Sequence, residues 1–383
     1  MSLHCSAKCA AALLLGTITA ASAPKPNILF IAVDDLRPSI GCYGDGHAIT
    51  PNLDRLARRG VRFGQAHCQV AVCNPSRASL MTGQRPDTLG VWTLPIHFRE
   101  AKPNAVTLPQ WLRRHGYTAV GHGKIYHNPT PDPQSWSEPI RPVQFQRGYD
   151  KVWQARIREV QAKLPDNDWR KNNLRGPATA APVIDDHQLV DGARTNMAIE
   201  DLRRLGQAEK PFFLALGFIR PHLAWISPKK YWDLYDPDKL KLPTFRQRPK
   251  GAPHWAVTQG IVKNYHNMPP FESIEESFLR RYLQAYLACI SYVDACVGRV
   301  LAALEASGHA EDTIIVFLGD HGYQMGEYDS WGHKHSNFEI STRAPLLIHA
   351  PGMKLAGTST SQPTEFLDLY PTLCDLAGLA WPN

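Results

Sequence analysis

The sequence predicts an α/β fold built on a large, mostly parallel sheet, and three observations lead to that prediction. Short apolar segments alternate with amphipathic ones along most of the 383 residues, as in chains whose strands are joined by crossover helices. Asn27 to Val33 is apolar on both faces of a strand, which is typical of a parallel sheet covered on both sides. Ionisable residues directly follow several of the predicted strands.

The predicted elements follow from apolar runs and from helical spacing of apolar residues. Strands are predicted at 27–33, 61–66, 117–120, 211–218, 313–318 and 345–349. Helices are predicted at 52–59, 106–115, 185–207, 272–307 and 364–376. Gly60 and Gly116 stand directly after two of these helices, at the position where glycine accommodates a left-handed backbone. In the longest helix, the spacing of Tyr286, Cys289 and Cys296 indicates core positions.

Two proline-rich stretches, 128–184 and 227–271, interrupt this alternation. They contain fifteen of the 31 prolines, and they are rich in aromatic residues, among them Trp136, Trp153, Trp169, Tyr231, Trp232 and Trp255. We favour the interpretation that they are insertions framing a substrate, because long loops in enzymes commonly carry binding residues. The alternative is that they are surface segments covering the edge of the sheet.

The first 23 residues have the features of a secretory signal peptide. Lys8 is the only charged residue before Lys25, an apolar run follows at 9–21, and Ala-Ser-Ala at 21–23 forms a cleavage pattern. We therefore expect cleavage near Ala23 and export to the periplasm or the medium. A buried N-terminal helix is the alternative. The apolar run is too short to span a bilayer, and we expect no later segment to be long and apolar enough to span one.

Composition excludes several classes of protein. With 43% hydrophobic and 20% charged residues, the chain can form a large core and is not a mostly disordered protein. The net charge of +7 is spread without long runs, which permits an anionic substrate and gives no sign of nucleic-acid binding. Of the 8 cysteines, those beyond the predicted signal peptide are too few for a disulfide-based fold.

Polar residues follow four of the predicted strands at the point where each strand ends. They are Asp34 and Asp35, then Lys124 and His127, then His222, and finally Asp320 and His321. Because the carboxyl ends of parallel strands lie along one edge of a sheet, we expect these side chains to form a common site. The carboxylates favour a hard cation, calcium before magnesium, whereas His321 leaves zinc or manganese as alternatives.

The segment C-N-P-S-R at 73–77 is the most specific in the chain. Pro75 suits the first position of a helix, which would place Cys73 at a helix N-terminus, where backbone amides favour an anion. Arg77 lies one turn further on. Two simpler interpretations remain open: a disulfide from Cys73 to Cys68 or Cys42, and a thiolate nucleophile of lowered pKa.

Six segments together resemble the type I, formylglycine-dependent sulfatases of the alkaline-phosphatase-like superfamily, most closely the iduronate-2-sulfatase branch. The segments are P-N-I-L-F-I-A-V-D-D-L-R-P (26–38), G-C-Y-G-D (41–45), T-P-N-L-D-R-L-A (50–57), C-N-P-S-R-A-S-L-M-T-G-Q-R-P (73–86), G-H-G-K (121–124) and G-D-H-G (319–322). The resemblance implies an α/β/α sandwich around a mixed sheet. We expect one catalytic domain at 24–383, without the small C-terminal subdomain that is usual in the family.

The resemblance also implies a mechanism. Cys73 would be oxidised to formylglycine by a formylglycine-generating enzyme, for which Pro75 and Arg77 form part of the recognition signal. One hydroxyl of the hydrated aldehyde would attack the sulfate sulfur in line with the leaving alcohol. The second hydroxyl would then lose a proton and expel sulfate, which restores the aldehyde.

Each site residue receives a role from the same resemblance. One calcium ion would be held by Asp34, Asp35, Asp320, His321 and the modified Cys73. Arg77 and Lys124 would anchor the hydrate and the sulfate oxygens, and His127 would be the base. His222 and Lys334 would bind the sulfate and protonate the leaving oxygen. Lys334 lies in W-G-H-K-H-S-N-F (331–338), where His333 and His335 are its neighbours.

We therefore expect an exported sulfatase whose substrate is a sulfated carbohydrate. One alternative is a phosphonate or phosphodiester hydrolase of the same superfamily, which would use the same site. The other is a non-catalytic binder of sulfated glycans.

Overall fold

A seven-stranded sheet with helices on both faces forms the body of the protein. The computed structural model describes residues 24–382, apart from 129, 144–147, 169, 254–255, 258–264 and 266–273. The predicted signal peptide therefore lies outside the described residues, as do Trp169, Trp255 and the side chain of Trp153. Within the described residues, the expected α/β fold with a mostly parallel mixed sheet is confirmed.

The helices and strands have the following bounds. The strands are β1 Asn27–Val33, β2 Val61–His67, β3 Thr118–Gly123, β4 Thr179–Ala180, β5 Phe212–Phe218, β6 Trp225–Ile226, β7 Thr313–Gly319, β8 Gln324–Met325, β9 Trp331–His333, β10 Leu346–His349 and β11 Ser359–Glu365. The helices are α1 Pro51–Arg59, α2 Cys73–Thr82, α3 Pro86–Leu89, α4 Phe98–Ala101, α5 Leu108–Arg114, α6 Gly148–Ala162, α7 Arg170–Asn173, α8 Val190–Leu205, α9 Lys229–Trp232, α10 Glu276–Ala306, α11 Glu339–Thr342 and α12 Leu369–Leu376.

The strand order of the main sheet is β11-β2-β10-β7-β1-β5-β3. Among the described strands of this sheet, β10 alone runs antiparallel to both of its neighbours. The register pairs Val33 with both Gly319 and Phe218, and Gly123 with Gly217, so β7, β1, β5 and β3 end almost level. The expectation that four strand ends meet at one edge is therefore confirmed.

Alternation along β1 divides the core into two layers. Its odd-numbered residues from Leu29 to Val33 pack in the layer that contains α1, α8 and α10. Its even-numbered residues from Ile28 to Ala32 pack in the layer that contains α2, α5 and α12. Both cysteines of α10, Cys289 and Cys296, are fully buried, as the helical spacing predicted.

Helix α10 corrects one expectation about membranes. By length and composition it is apolar enough to cross a bilayer, and no other described helix is. Most of its apolar residues are buried in the protein core, where the helix packs on α8 and α1. A helix that is covered on most sides must be apolar on most sides, which is why it has this composition.

The predicted helix at 364–376 is wrong in its first part. Ser359–Glu365 is a strand, β11, which pairs in parallel with β2 at the edge of the sheet, and α12 begins only at Leu369. The strand is polar and mostly exposed, and it contains Pro363. An edge strand bonds to one neighbour only and tolerates both features, so its sequence resembles that of a loop.

The predicted left-handed backbone at Gly60 is also wrong. Its φ is −126°, which is extended backbone, and a side chain is excluded there because a Cβ would lie 2.5 Å from the carbonyl oxygen of Ile348. Gly116 has the left-handed backbone that was expected, with φ +94°.

Several aromatic residues of the two proline-rich stretches pack into the fold, whereas Phe245 of the second stretch is 75% exposed. Trp136 is buried, and its ring lies stacked on Phe213 of β5, so close to Gly121 that a Cβ there would be 2.5 Å away. Tyr231 is buried and donates its hydroxyl to Asp186. The rings of Trp136 and Tyr231 are therefore part of the core and cover apolar surface that the helices leave open.

Asp294 of α10 binds the first turn of α1. Its carboxylate accepts the backbone amides of Leu53 (2.8 Å) and Asn52 (3.3 Å), and the side-chain amide of Asn52 (2.8 Å). Two of the free amides at the start of α1 are thereby satisfied by a different helix.

Asp294→Ala should lower the free energy of unfolding by about 2 kcal/mol, because buried amides lose their acceptor. Urea denaturation followed by circular dichroism measures the change. Asp375→Ala, at an exposed position of α12, is the matched control and should change stability little. Equal losses in the two variants would contradict this role of Asp294.

Candidate active site

The level strand ends bring the predicted site residues to one edge of the sheet. The residues that follow strands of the main sheet are Asp34 and Asp35 (β1), Lys124 and His127 (β3), His222 (β5), and Asp320 and His321 (β7). Lys334 follows β9, which pairs with β8 in a separate two-stranded sheet. Cys73 and Arg77 reach the same place from α2. All of the candidate residues from the sequence therefore gather in one region.

Four of these residues could hold a metal ion. One donor atom each from Asp34, Asp35, Cys73 and His321 lies within 4.8 Å of the others, and all four residues are buried. The Nδ1 atom of His321 lies 2.9 Å from the carbonyl oxygen of Gly322, so this nitrogen carries the proton. Its Nε2 then has a free lone pair, 3.3 Å from the Cys73 Sγ and 3.5 Å from an Asp35 oxygen.

Asp320 lies beside this group and binds a cation of the protein. One of its carboxylate oxygens accepts Arg77 Nε at 2.9 Å, and the other accepts the Asp35 amide at 3.1 Å. The second oxygen is also 3.4 Å from Nε2 of His321. Asp320 therefore orients both the arginine and the backbone of Asp35.

Two lysines accompany the adjacent aspartates. Lys124 Nζ donates to Asp34, and Lys334 Nζ donates both to Asp35 and to the Cys73 sulfur, the latter at 3.0 Å. The repulsion expected between neighbouring carboxylates is thus relieved by separate cations, one for each.

The charges of the site follow from burial and these pairs. Burial alone would raise the pKa of Asp34, but Lys124, followed by His222 and Arg77, holds it well below its usual value. Burial of Asp35 is likewise outweighed, chiefly by Lys334, and its pKa is lowered. Burial would lower the pKa of Lys334, but Asp35 and other anions hold it well above its usual value. At neutral pH these groups are therefore ionised.

Cys73 is the first residue of α2, as the sequence predicted, although Pro75 is the third residue and not the first. Proline fits there because the first amides of a helix have no partner within it. Burial, reinforced by Asp34, raises the pKa of the Cys73 thiol to about 12, so a thiolate nucleophile is disfavoured. Cys42, Cys68 and Cys73 are all free, which contradicts the disulfide alternative.

The two histidines outside the metal group are uncharged at neutral pH. Burial, with Lys124, lowers the pKa of His127 to about 4, and its buried Nδ1 has no hydrogen-bond partner among the described residues. Burial also lowers the pKa of His222 to about 4, against the opposing effect of Asp35. The His222 Nδ1 lies 2.6 Å from the carbonyl oxygen of Leu223, and its Nε2 lies 4.0 Å from Asp34 and from Asp35.

Sequence reasoning missed two polar residues of α2. The side chain of Asn74 donates to the carbonyl oxygens of Thr93 (2.8 Å) and Ile96 (2.7 Å), which ties the loop at 92–97 to the helix start. Ser76 Oγ donates to the carbonyl oxygen of Asp320 at 2.5 Å. The sequence indicated these two residues only through their place in the motif that begins at Cys73. Their partners lie in other segments of the chain, so no local spacing predicts the contacts.

The sulfatase family model matches residues 26–379, nearly the whole of this chain. The chain belongs to the sulfatase family. It is 35% identical to iduronate 2-sulfatase of Mus musculus over 93% of this chain and 69% of that protein. It is 36% identical to a sulfatase of Formosa agariphila over 93% of this chain and 70% of that one.

Solved structures show the same fold. The phosphonate monoester hydrolase of Silicibacter pomeroyi superposes with a TM-score of 0.70 at 25% identity, over 94% of this chain and 74% of that one. The resemblance read from the motifs, including the likeness to iduronate 2-sulfatase, is confirmed. This sulfatase is a sulfuric ester hydrolase, as the family and its curated relatives show.

Arg77→Ala should lower the free energy of unfolding of this sulfatase by about 3 kcal/mol or more, since removing one partner leaves buried carboxylates unpaired. Arg77 is fully buried between Asp320 and Asp34, whose nearest oxygens are 2.9 and 3.5 Å from its nitrogens. Urea denaturation in identical buffer measures the loss.

Arg85→Ala is the control for that measurement. Arg85 pairs with Glu365 at 2.6 Å, but the two side chains are 56% and 47% exposed. Water and salt screen such a pair, so its loss should cost far less than that of Arg77. Similar effects of the two substitutions would show that the buried pairs do not hold the site together.

Proposed function

We propose that this protein is an exported, calcium-dependent sulfatase that uses formylglycine at position 73 to hydrolyse sulfate esters of carbohydrates. The observation that carries the proposal is the buried group of Cys73, Asp34, Asp35 and His321, whose donor atoms lie within 4.8 Å of one another. Hard carboxylate oxygens next to a modifiable cysteine are the combination that this chemistry requires.

The donor set fits a cation. Asp34 and Asp35 are ionised, and the His321 Nε2 lone pair faces the same group, so these residues would hold the metal together with residue 73. We propose Asp320 as a further ligand, because its oxygen lies 3.4 Å from the same nitrogen. Calcium at this position would supply positive charge to the sulfate oxygens during the reaction.

Formylglycine at position 73 would supply, as its hydrate, the hydroxyl that takes the sulfuryl group and the second hydroxyl that releases it. The signal for this modification is C-N-P-S-R at 73–77, and a formylglycine-generating enzyme is the implied partner. An unmodified Cys73 would be a poor nucleophile because burial raises the pKa of its thiol to about 12.

The charged residues around position 73 would bind the sulfate group and move protons. Arg77 and Lys124 are held by carboxylates and present fixed positive charge. His127 is neutral, and its Nδ1 has no partner within the part of the chain that the structure describes, which suits a base for the second hydroxyl. We propose Lys334 as proton donor to the leaving oxygen, because it keeps its proton at neutral pH. We propose that His222 binds the sulfate as the imidazolium, because a sulfate anion beside the ring would favour its charged form.

Two parts of the proposal rest on the sequence and on relatives. The carbohydrate substrate rests on the similarity to iduronate 2-sulfatase, whose name gives iduronate as the sulfated unit. Export rests on the charged, apolar and Ala-Ser-Ala segments at 1–23.

A second candidate is hydrolysis of phosphonate monoesters through the same site. The superposition on the phosphonate monoester hydrolase of Silicibacter pomeroyi, at a TM-score of 0.70, favours it. Both ester types present tetrahedral, anionic oxygens to the same cations, so the fold alone does not separate them.

Turnover of matched aryl esters separates the two candidates. With one leaving group on a sulfate, a phosphonate and a phosphodiester, we expect kcat/KM for the sulfate to exceed the others by more than about 10-fold. Higher kcat/KM for either phosphorus ester would overturn the sulfatase assignment. Binding of sulfated oligosaccharide without any turnover would support the glycan-binding alternative.

Mass spectrometry of the tryptic peptide 63–77 tests the modification. This peptide contains both Cys68 and Cys73, so Cys68 is an internal control for alkylation. After alkylation we expect Cys68 to carry the label and residue 73 to carry an aldehyde in place of the thiol. Labelling at both positions in an active preparation, or a disulfide between them, would contradict the formylglycine mechanism.

A further inference from the structure

Three buried aromatic side chains, which we call the aromatic cluster, connect the segments that carry the site residues. They are Trp225, Tyr286 and Tyr323, each at most 1% exposed. The rings of Tyr286 and Tyr323 are stacked with centroids 5.8 Å apart, and Trp225 meets both edge-on, at 5.9 and 6.4 Å. Trp225 is three residues after His222, and Tyr323 is two residues after His321.

Tyr286 is the member of the cluster that bonds to the backbone beside the metal group. Its hydroxyl donates to the carbonyl oxygen of Asp35 at 2.7 Å and accepts the amide of Arg37 at 3.1 Å. The sequence had placed Tyr286 among the apolar core positions of the long helix. Its ring does fill the core, but phenylalanine would do that equally well, so the hydroxyl has a separate use.

The backbone of Asp35 needs such support. Its φ is +59°, in the left-handed region that aspartate seldom adopts and that persists only where surrounding groups hold it. Both of its backbone polar groups are bound by side chains, the amide by Asp320 at 3.1 Å and the carbonyl by Tyr286. The direction of the Asp35 carboxylate depends on this conformation, since the side chain leaves the backbone at Cα.

We propose that Tyr286 is a positioning residue of the metal site. Its hydroxyl holds Asp35 in the left-handed conformation that directs the carboxylate towards Asp34, Cys73 and His321. The inference rests on the proposed calcium site. The rigid stack with Tyr323 links this support to the segment of His321, so one side chain of α10 steadies two neighbouring ligands.

The same helix contains a matched control. Tyr292 of α10 is fully buried, and its hydroxyl also joins two backbone groups, accepting the amide of Gly192 at 2.6 Å and donating to the carbonyl oxygen of Asp186 at 3.0 Å. Removing either hydroxyl therefore leaves the same two kinds of buried backbone group without a partner. Only Tyr286 makes its contacts at the metal group.

The test compares Tyr286→Phe with Tyr292→Phe. Isothermal titration with Ca²⁺ measures affinity directly, in preparations whose state at residue 73 is matched by mass spectrometry. We expect Tyr286→Phe to weaken calcium binding about 10-fold, as is common for residues that orient a ligand, and Tyr292→Phe to leave it unchanged. Both variants should lose similar amounts of thermal stability, because each loses two buried hydrogen bonds.

The outcomes are distinguishable. Unchanged affinity in Tyr286→Phe, with binding by the wild type, overturns the positioning role alone. No calcium binding by the wild type overturns the proposed metal site and this inference together. If Tyr286→Phe melts below the assay temperature, the rise in its melting temperature with added calcium reports affinity instead, and a rise equal to that of the wild type overturns the proposal.

Discussion

The site depends on the pairing of three buried carboxylates with three buried cations. The carboxylates are Asp34, Asp35 and Asp320, the cations are Arg77, Lys124 and Lys334, and the most exposed of the six, Lys124, is only 6% exposed. An unpaired ion in such surroundings costs several kcal/mol, so each member requires its partner. Since the partners come from different strands and from α2, the pairs fix the relative positions of the elements that carry them.

Glycines near the ends of the strands allow these elements to pack closely. At Gly319 a Cβ would lie 2.3 Å from the carbonyl oxygen of Leu36, and at Gly217 it would lie 2.2 Å from the backbone carbonyl carbon of Lys124. Gly123, with φ +72°, stands equally close to the carbonyl oxygen of Gly217. Side chains at these positions would push apart the strand ends, and with them the paired charges.

The features that could be predicted from the sequence are those that depend on a local pattern of residues. Apolar runs located every strand from β1 to β10 of the main sheet, and the polar residues after them located the site. The prediction failed for β11, whose polar edge sequence has no buried face, and for Gly60, whose constraint comes from Ile348 nearly three hundred residues away. The contacts of Asn74 and Tyr286 could not be predicted either. A side chain that bonds to the backbone of another segment produces no periodic pattern in the sequence.

The burial of α2 has a consequence for the order of events in the cell. Every residue from Cys73 to Thr82 is buried, including Pro75 and Arg77 of the proposed modification signal. Another enzyme has no access to a segment that is helical and enclosed on all sides. The proposed oxidation of Cys73 would therefore have to precede folding, while the chain is still extended. A molecule that folded first would keep its thiol, and the yield of modified protein would then depend on the relative rates of modification and folding.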